Sequence, residues 1–537
     1  MPRDTLQQLT GGTRRPPALV WVFAIGVAVI SLIPAIYTIV RALGASGIAV
    51  LPPWPLFLQL VGNTVFLALG SALISGIIGV VQALLIERSH LWGKSVWRIV
   101  AALPLAIPPY VLSICVLALL RPRGLVERWL VDRGVVAFGD IPFSAIFGLP
   151  GSTIVLAFCL SPYIYLPVAA VLRQGSNHLS EIAQISGAST WYRLRHVTLP
   201  LIAPAAGGGM LLVMLYALAD FGVPALLRLP TFSTAIYGRF TGQIDREGAA
   251  LLSLPLIVAT LGLIVLEEWL AGRGGAQINR SWRPRLVRQL GWWQAGAQVV
   301  LVMLSTVALV APLGTLLYWS WLPLSPSEQA SLIAWPKLIS IGANNVVFVA
   351  LVATLTTILA ITPALLLRRG GKIGLVVARL SQSGYALPGV VVALSIVLLV
   401  NQGAVWLAGG LVPLVLAYII RFLPQAVQSL DAAFEQIAPS IEEVGRSLGQ
   451  SALRVLYRIV MPLAAPGLRA SWALLFLSML KELPATLLLR PAGFDTLAVR
   501  IWMPASDGFY TAAAAPALLL IVGALVPVAL VLRNQYR

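Results

Sequence analysis

Long apolar runs alternate with short polar breaks along the whole chain. The runs are continuous and lack the in-out alternation of barrel strands. Each comes close to the ~20 residues that a helix needs to cross a bilayer. Twelve stand out, at 18–40, 63–86, 99–120, 151–172, 201–221, 249–270, 295–318, 343–367, 384–400, 405–423, 463–480 and 511–532. Helices are expected at all of them, because within lipid a helix satisfies its own backbone polar groups. Composition agrees with the pattern. Of 537 residues, 59% are hydrophobic and 10% charged, where soluble domains average about 25% charged. Mean hydropathy is +0.90. The pattern predicts an all-α integral membrane protein of about 12 transmembrane helices. The run at 18–40 is too long for a cleaved signal core and is expected to be a retained first span.

Two of the polar interruptions are copies of one another. "EIAQISGASTWYRLRHVTLPLIAP" begins at Glu181, and "EEVGRSLGQSALRVLYRIVMPLAAP" ends at Pro466. Glu181 matches Glu443 at an offset of 443 − 181 = 262, and at that offset Gly187 meets Gly449 and Pro200 meets Pro462. The match runs on into the next polar stretch. There Asp220 falls on Glu482, Arg228 on Arg490, Phe232 on Phe494 and Thr234 on Thr496. Upstream, "YVLSI" at 110–114 echoes "VALSI" at 392–396. A longer polar segment at 121–148 accounts for the different offset there. The chain therefore reads as two halves of six spans, 1–270 and 294–537, joined by a basic linker at 271–293. Six is an even number, so the halves enter the membrane in the same sense, as parallel pseudo-two-fold repeats.

The formal net charge of +18 is explained by topology. The linker stretch "GRGGAQINRSWRPRLVRQLGW" holds five arginines and no acid. "ERSHLWGKSVWR" and "LRRGGKIGLVVARL" fall on the same side of the membrane. The positive-inside rule places these segments, both repeated loops and both termini in the cytoplasm. The excess is a topology signal, and no nucleic-acid partner is expected; membrane lipid is. Cys115 and Cys159 lie in apolar runs and are expected to be packing residues.

The repeated loops have a use for their residue types. A short helix near 180–190, and its copy at 442–452, could press into a partner's groove as a knob. Gly187 and Gly449 would allow the sharp turn. The spacing Glu181-x-Ala183, then Gly187, then Leu199-Pro200, resembles the signature loop of ABC importer permeases. The second copy keeps Glu443, Gly449 and Pro462, with Gly445 in place of Ala and Met461 in place of Leu. The resemblance implies the type I importer permease fold, with each loop forming the coupling helix that docks into an ATP-binding subunit. It implies as partners a homodimeric ABC ATPase in the cytoplasm and an external, periplasmic substrate-binding protein. The bacterial inner membrane is the implied location. Fusion of two halves, together with "KELPATLLLRPAGFDTLAVRIW" and "ALADFGVPALL", looks like the ferric-iron importer permeases. Thiamine importer permeases are the alternative.

Catalytic chemistry is not expected. No Gly-x-x-x-x-Gly-Lys-Ser/Thr phosphate cradle occurs, so any ATP would be held by the partner ATPase and no cofactor by this chain. His90, His178 and His196 all fall in loops, and no stable metal site is expected. Asp220 and Glu482, with Arg228 and Arg490, are the candidate pathway residues, because ionisable groups at span ends are functional candidates. Two readings of them stand at this level. They face a cargo, or they form salt bridges that hold the external loops, with Lys481 able to balance Glu482. Arg469, inside the run 463–480, is expected to snorkel to the surface. A secondary transporter would need coupling-ion sites at midplane, which the pattern lacks.

Overall fold

The computed structural model describes residues 16–44, 52–141, 143–174, 183, 185–243, 245–273, 293–322 and 335–536. Among these, every regular element is a helix. Eleven helices are long and apolar enough to cross a membrane, and a bent pair makes up to twelve. In chain order they are α1 (Ala18–Gly44), α2 (Trp54–Arg88), α3 (Pro109–Leu120, followed by Leu125–Asp132), α4 (Leu149–Arg173), α5 (Trp191–Ala219) and α6 (Arg246–Glu267). The series continues with α7 (Trp293–Trp321), α8 (Trp335–Arg369), α9 (Gly389–Gly403), α10 (Val412–Glu435), α11 (Ala452–Leu480) and α12 (Thr511–Leu530). α9 is one arm of the bent pair; the other arm, Gly371–Tyr385, meets it at 97°.

Two expected spans are displaced. The one at 99–120 begins only at Pro109, after a 3-10 turn at Leu103–Ala106, and extends to Asp132. The run 405–423 is replaced by α10, which starts at Val412 and continues to Glu435. The residues before it form a 3-10 turn at Val405–Leu407, and Gly409 takes φ +77°. The stretch is apolar enough to look like a helix start. Its Gly409-Gly410 pair and Pro413 break the chain instead, and Pro413 then sits at the helix N-terminus, where its missing N–H costs nothing.

Prolines also explain a recurring irregularity. π-helical turns occupy Leu194–Thr198, Thr306–Val310 and Leu456–Val460. They close with Leu199 N–H on Leu194 O, Ala311 N–H on Thr306 O and Met461 N–H on Leu456 O. Pro200, Pro312 and Pro462 follow directly. A proline offers no N–H and its ring crowds the carbonyl four residues back, so the ladder ahead of it widens.

Two compact units form. One contains α1, most of α8, and α9 to α11; the other contains α2 to α7 and most of α12. The units thus cut across the sequence halves, each taking in helices of both. Of the expected linker, residues 274–292 lie outside the described residues. In the first unit α1 buries Ala24, Ala28, Ser31 and Ala42 while Val22 and Phe23 point outward. Small residues let the backbones approach, which favours helix packing in lipid. Thr38 hydrogen-bonds Ser395 of α9, and Tyr37 OH donates to Gln402 Oε1 at 2.7 Å. In the second unit α7 meets α3, with Cys115 Sγ donating to Pro312 O at 3.6 Å. Trp97 Nε1 also donates to Gln298 Oε1 of α7 at 2.8 Å. Both cysteines are buried and unbridged, as packing residues are.

Candidate functional site

The two repeated loops share their backbone in detail. Gly187 has φ +78° and Gly449 φ +79°. Ala188 N–H donates to Ala183 O at 2.8 Å, and Gln450 N–H to Gly445 O at 3.3 Å. These are the same bond at the offset of 262. It is the six-to-one bond that ends a helix in the left-handed conformation glycine favours. Ser189 Oγ then accepts from Tyr192 N–H at 3.2 Å, and Ser451 Oγ from Arg454 N–H at 3.4 Å. Pro200 and Pro462, both exposed, enter the following spans.

The second copy forms a helix, Pro439–Ser447. Of the first copy, Glu181 and its neighbours 175–182 and 184 lie outside the described residues. On Pro439–Ser447 and the turn after it, Ile441, Val444 and Leu448 form one stripe that is 40%, 59% and 75% exposed. Glu442 turns the other way and pairs with Arg369 at the end of α8. Glu443 is exposed. Gly445 is buried, and a Cβ there would lie 2.8 Å from Ile459 Cδ1 and 3.2 Å from Val455 Cγ2. The departure from alanine is therefore matched by bulk nearby: Ile459 corresponds to the smaller Val197 in the first copy (459 − 262 = 197).

Asp220 and Glu482 also share a local task. Asp220 ends α5 and its Oδ2 accepts from Val223 N–H at 2.9 Å, capping the helix Gly222–Leu226. Glu482 Oε1 accepts from Ala485 N–H at 3.2 Å, capping Pro484–Leu489. Each acid stands one residue before the N-cap position, Phe221 or Leu483, and accepts a first-turn N–H three residues on. Their surroundings differ. Glu482 is 5% exposed and its Oε2 is 3.0 Å from Arg421 Nε of α10. Asp220 is half-buried. Arg421 is thus an ion-pair partner of Glu482 that sequence reasoning, which considered the adjacent Lys481, passed over. A charge buried in an otherwise apolar span was the signal available. Gly389 of α9 leaves room for the pair: a Cβ there would lie 2.8 Å from Glu482 Oε1 and 2.9 Å from Arg421 Nη1.

Arg228 and Arg490 are equivalent by repeat but not by environment. Arg228 is exposed, takes φ +56° and lies 5.4 Å over the Phe147 ring. Arg490 has ordinary φ and pairs with Asp495. Arg469 is exposed and its Nε donates to Ala465 O at 3.3 Å. Among the described residues no group of three His, Cys, Asp or Glu side chains is arranged to hold a metal.

Further charge pairs lie at the ends of α2 and α8. Glu87 is 4% exposed and takes Arg98 Nε on Oε1 at 3.0 Å and Arg98 Nη2 on Oε2 at 2.7 Å, with Arg173 Nη1 3.9 Å away. Arg368 Nε donates to Asp431 Oδ1 at 2.6 Å, and its Nη2 lies 3.1 Å from Glu435 Oε2.

The family model described as binding-protein-dependent transport system inner membrane component matches residues 75–273 and again 334–535. The chain belongs to that family. It is accordingly a non-catalytic, multi-pass inner-membrane component built from two copies of one permease fold. The chain is 28% identical to the Fe(3+)-transport system permease protein FbpB 2 of Haemophilus influenzae, over 98% of this chain and 100% of that protein. It is 25% identical to the ferric transport system permease protein FbpB of Actinobacillus pleuropneumoniae, over 86% of this chain and 69% of the relative. The molybdenum transport system permease protein ModB of Haemophilus influenzae is 27% identical, matching 38% of this chain but 90% of itself. That relative has the length of one repeat.

Proposed function

We propose that this chain forms the translocation pathway of an ABC importer for ferric iron. Iron is delivered by an external binding protein, and ATP is hydrolysed by a separate homodimeric ATPase in the cytoplasm. The observation that carries the cargo is the likeness to an Fe(3+)-transport permease along 98% of this chain. Relatives named for molybdenum and sulfate match 38% and 45% of it. The repeated loops are the coupling segments. Gly187 and Gly449 shape their turns, and the exposed stripe Ile441, Val444 and Leu448 is an apolar surface of the kind that seats a partner. Glu181, Ala183, Pro200, Glu443 and Pro462 belong to the same segments. The linker, both loops and both termini face the cytoplasm, as the arginine distribution requires. Residues 1–270 and 294–537 are the two halves. The chain itself holds no cofactor.

Of the acids, half-buried Asp220 is the one suited to meet a ferric ion, since carboxylate oxygen is a hard ligand for a hard cation. Glu482 is the more buried of the two, at 5% exposed, beside Arg421. Arg228 and Arg490 lie in the segments that follow α5 and α11, each within its own repeat. Reconstitution tests the whole reading. The chain, its ATPase and its binding protein in liposomes should take up labelled ferric ion only with ATP and binding protein present. Uptake of thiamine in place of iron under those conditions would overturn the cargo, and failure of any ATPase to co-purify would overturn the class.

A further inference from the structure

The charge pairs at the ends of α2 and α8 carry a relation that the repeat makes visible. α2 and α8 are both 35 residues long and both open on Trp-Pro. Aligned on Trp54 and Trp335, at an offset of 335 − 54 = 281, Glu87 corresponds to Arg368 (87 + 281 = 368). On the facing helices, at the offset of 262, Arg173 corresponds to Glu435 (173 + 262 = 435). The two repeats therefore place an ion pair at equivalent positions with the charges exchanged. Glu87 faces Arg173 at 3.9 Å in one, and Arg368 faces Glu435 at 3.1 Å in the other. Each pair is reinforced by a neighbour, Arg98 on Glu87 and Asp431 on Arg368.

The inverted sign constrains the purpose. A site that recognises a charged cargo, lipid headgroup or partner needs one polarity. A mechanical tie needs only opposite charges, and either order serves. Position points the same way. Arg173 precedes Glu181 by eight residues, and Glu435 precedes Glu443 by eight. Each pair thus fastens the helix that leads into a repeated loop to the end of a neighbouring span. In the second copy Arg369, next to Arg368, extends the tie to Glu442 on the loop helix itself.

We propose that these pairs are joints that make each coupling segment and its neighbouring span move together, with Arg173, Glu435, Glu87 and Arg368 as positioning residues for transport. The inference rests on the importer reading above. Its opposite polarities also make the joints specific to their own repeat. Exchange of α4 and α10 would set Glu87 against Glu435 and Arg173 against Arg368, like against like.

The test uses the full chain with its ATPase and binding protein in liposomes, and reads iron transported per ATP hydrolysed. Arg368→Glu adds a third carboxylate beside Asp431 and Glu435 and should lower that ratio about tenfold while the ATPase still co-purifies. The reversed combination Arg368→Glu with Asp431→Arg and Glu435→Arg should restore most of the ratio. An unchanged ratio in the first variant, or no recovery in the second with the complex intact, overturns the joint. Should Arg368→Glu fail to assemble, Glu435→Gln carries the test. That side chain is 67% exposed and its loss leaves the Arg368–Asp431 bond in place. It should lower the ratio about twofold, and an unchanged ratio sinks the proposal. Loss of ATPase binding by the unaltered chain would sink the importer reading instead.

Discussion

In the first repeat Asp220 accepts the amide of Val223 at 2.9 Å and remains half-buried. In the second, Glu482 accepts that of Ala485 at 3.2 Å, is 5% exposed and is locked to Arg421 at 3.0 Å. The residue matching Arg421 in the first repeat is Cys159 (421 − 262 = 159), a buried thiol in place of a guanidinium. Duplication kept the backbone task of the acid and let its electrical surroundings diverge. A helix cap needs a carboxylate three residues before its donor, and sequence alone supplies that. Neutralising the carboxylate needs a cation from another helix, and in the second repeat Arg421 of α10 supplies it. The repeats are alike where local geometry rules and unlike where distant side chains meet.

The strongest way to break the comparison is to remove Arg421. Arg421→Ala leaves Glu482 buried without its cation and should cost about 3 kcal/mol or more of stability, as removal of one partner of a buried pair does. Cys159→Ala at the equivalent site removes little volume and should cost about 1 kcal/mol. Thermal unfolding of the detergent-purified chain measures both, and equal losses would mean that Arg421 does not stabilise the acid.

The coupling turns sharpen the comparison where the repeats agree. A Cβ at Gly187 or Gly449 would meet nothing within 4 Å, so a substitution there is opposed by backbone conformation alone. Gly449→Val should cost about 1–2 kcal/mol and Gly449→Asn less, because asparagine tolerates positive φ. Gly187→Val and Gly187→Asn should show the same order. ATPase co-purification and uptake assays should follow that ranking in both repeats. A Val variant that transports as well as the Asn variant would show that the left-handed turn is not needed.

The smallest expected change in stability separates the two acids by function. Asp220→Asn retains an oxygen for the Val223 amide, so stability should fall by less than about 0.5 kcal/mol. Iron uptake should fall about threefold, through loss of electrostatic attraction at the pathway entrance. Normal uptake would remove Asp220 from the pathway and leave it a helix cap.

Sequence by itself determined the all-helical membrane class, the repeat, the glycine turns and the family. These are set by composition or by residues within a few positions of one another. Gly187 and Gly449 turn the chain because they lack a Cβ, and Pro200, Pro312 and Pro462 widen the turn ahead of them because they lack an N–H. Tertiary structure decided the rest. It paired Glu482 with Arg421, 61 positions away. It set Arg368 on Asp431, 63 positions away, and placed α1 with α9 and α7 with α3. An apolar helix reads much the same whatever packs on it, so hydrophobic pattern does not name its neighbours. An ion pair forms only where two side chains from separate helices come within about 4 Å, and that distance exists only in the folded chain.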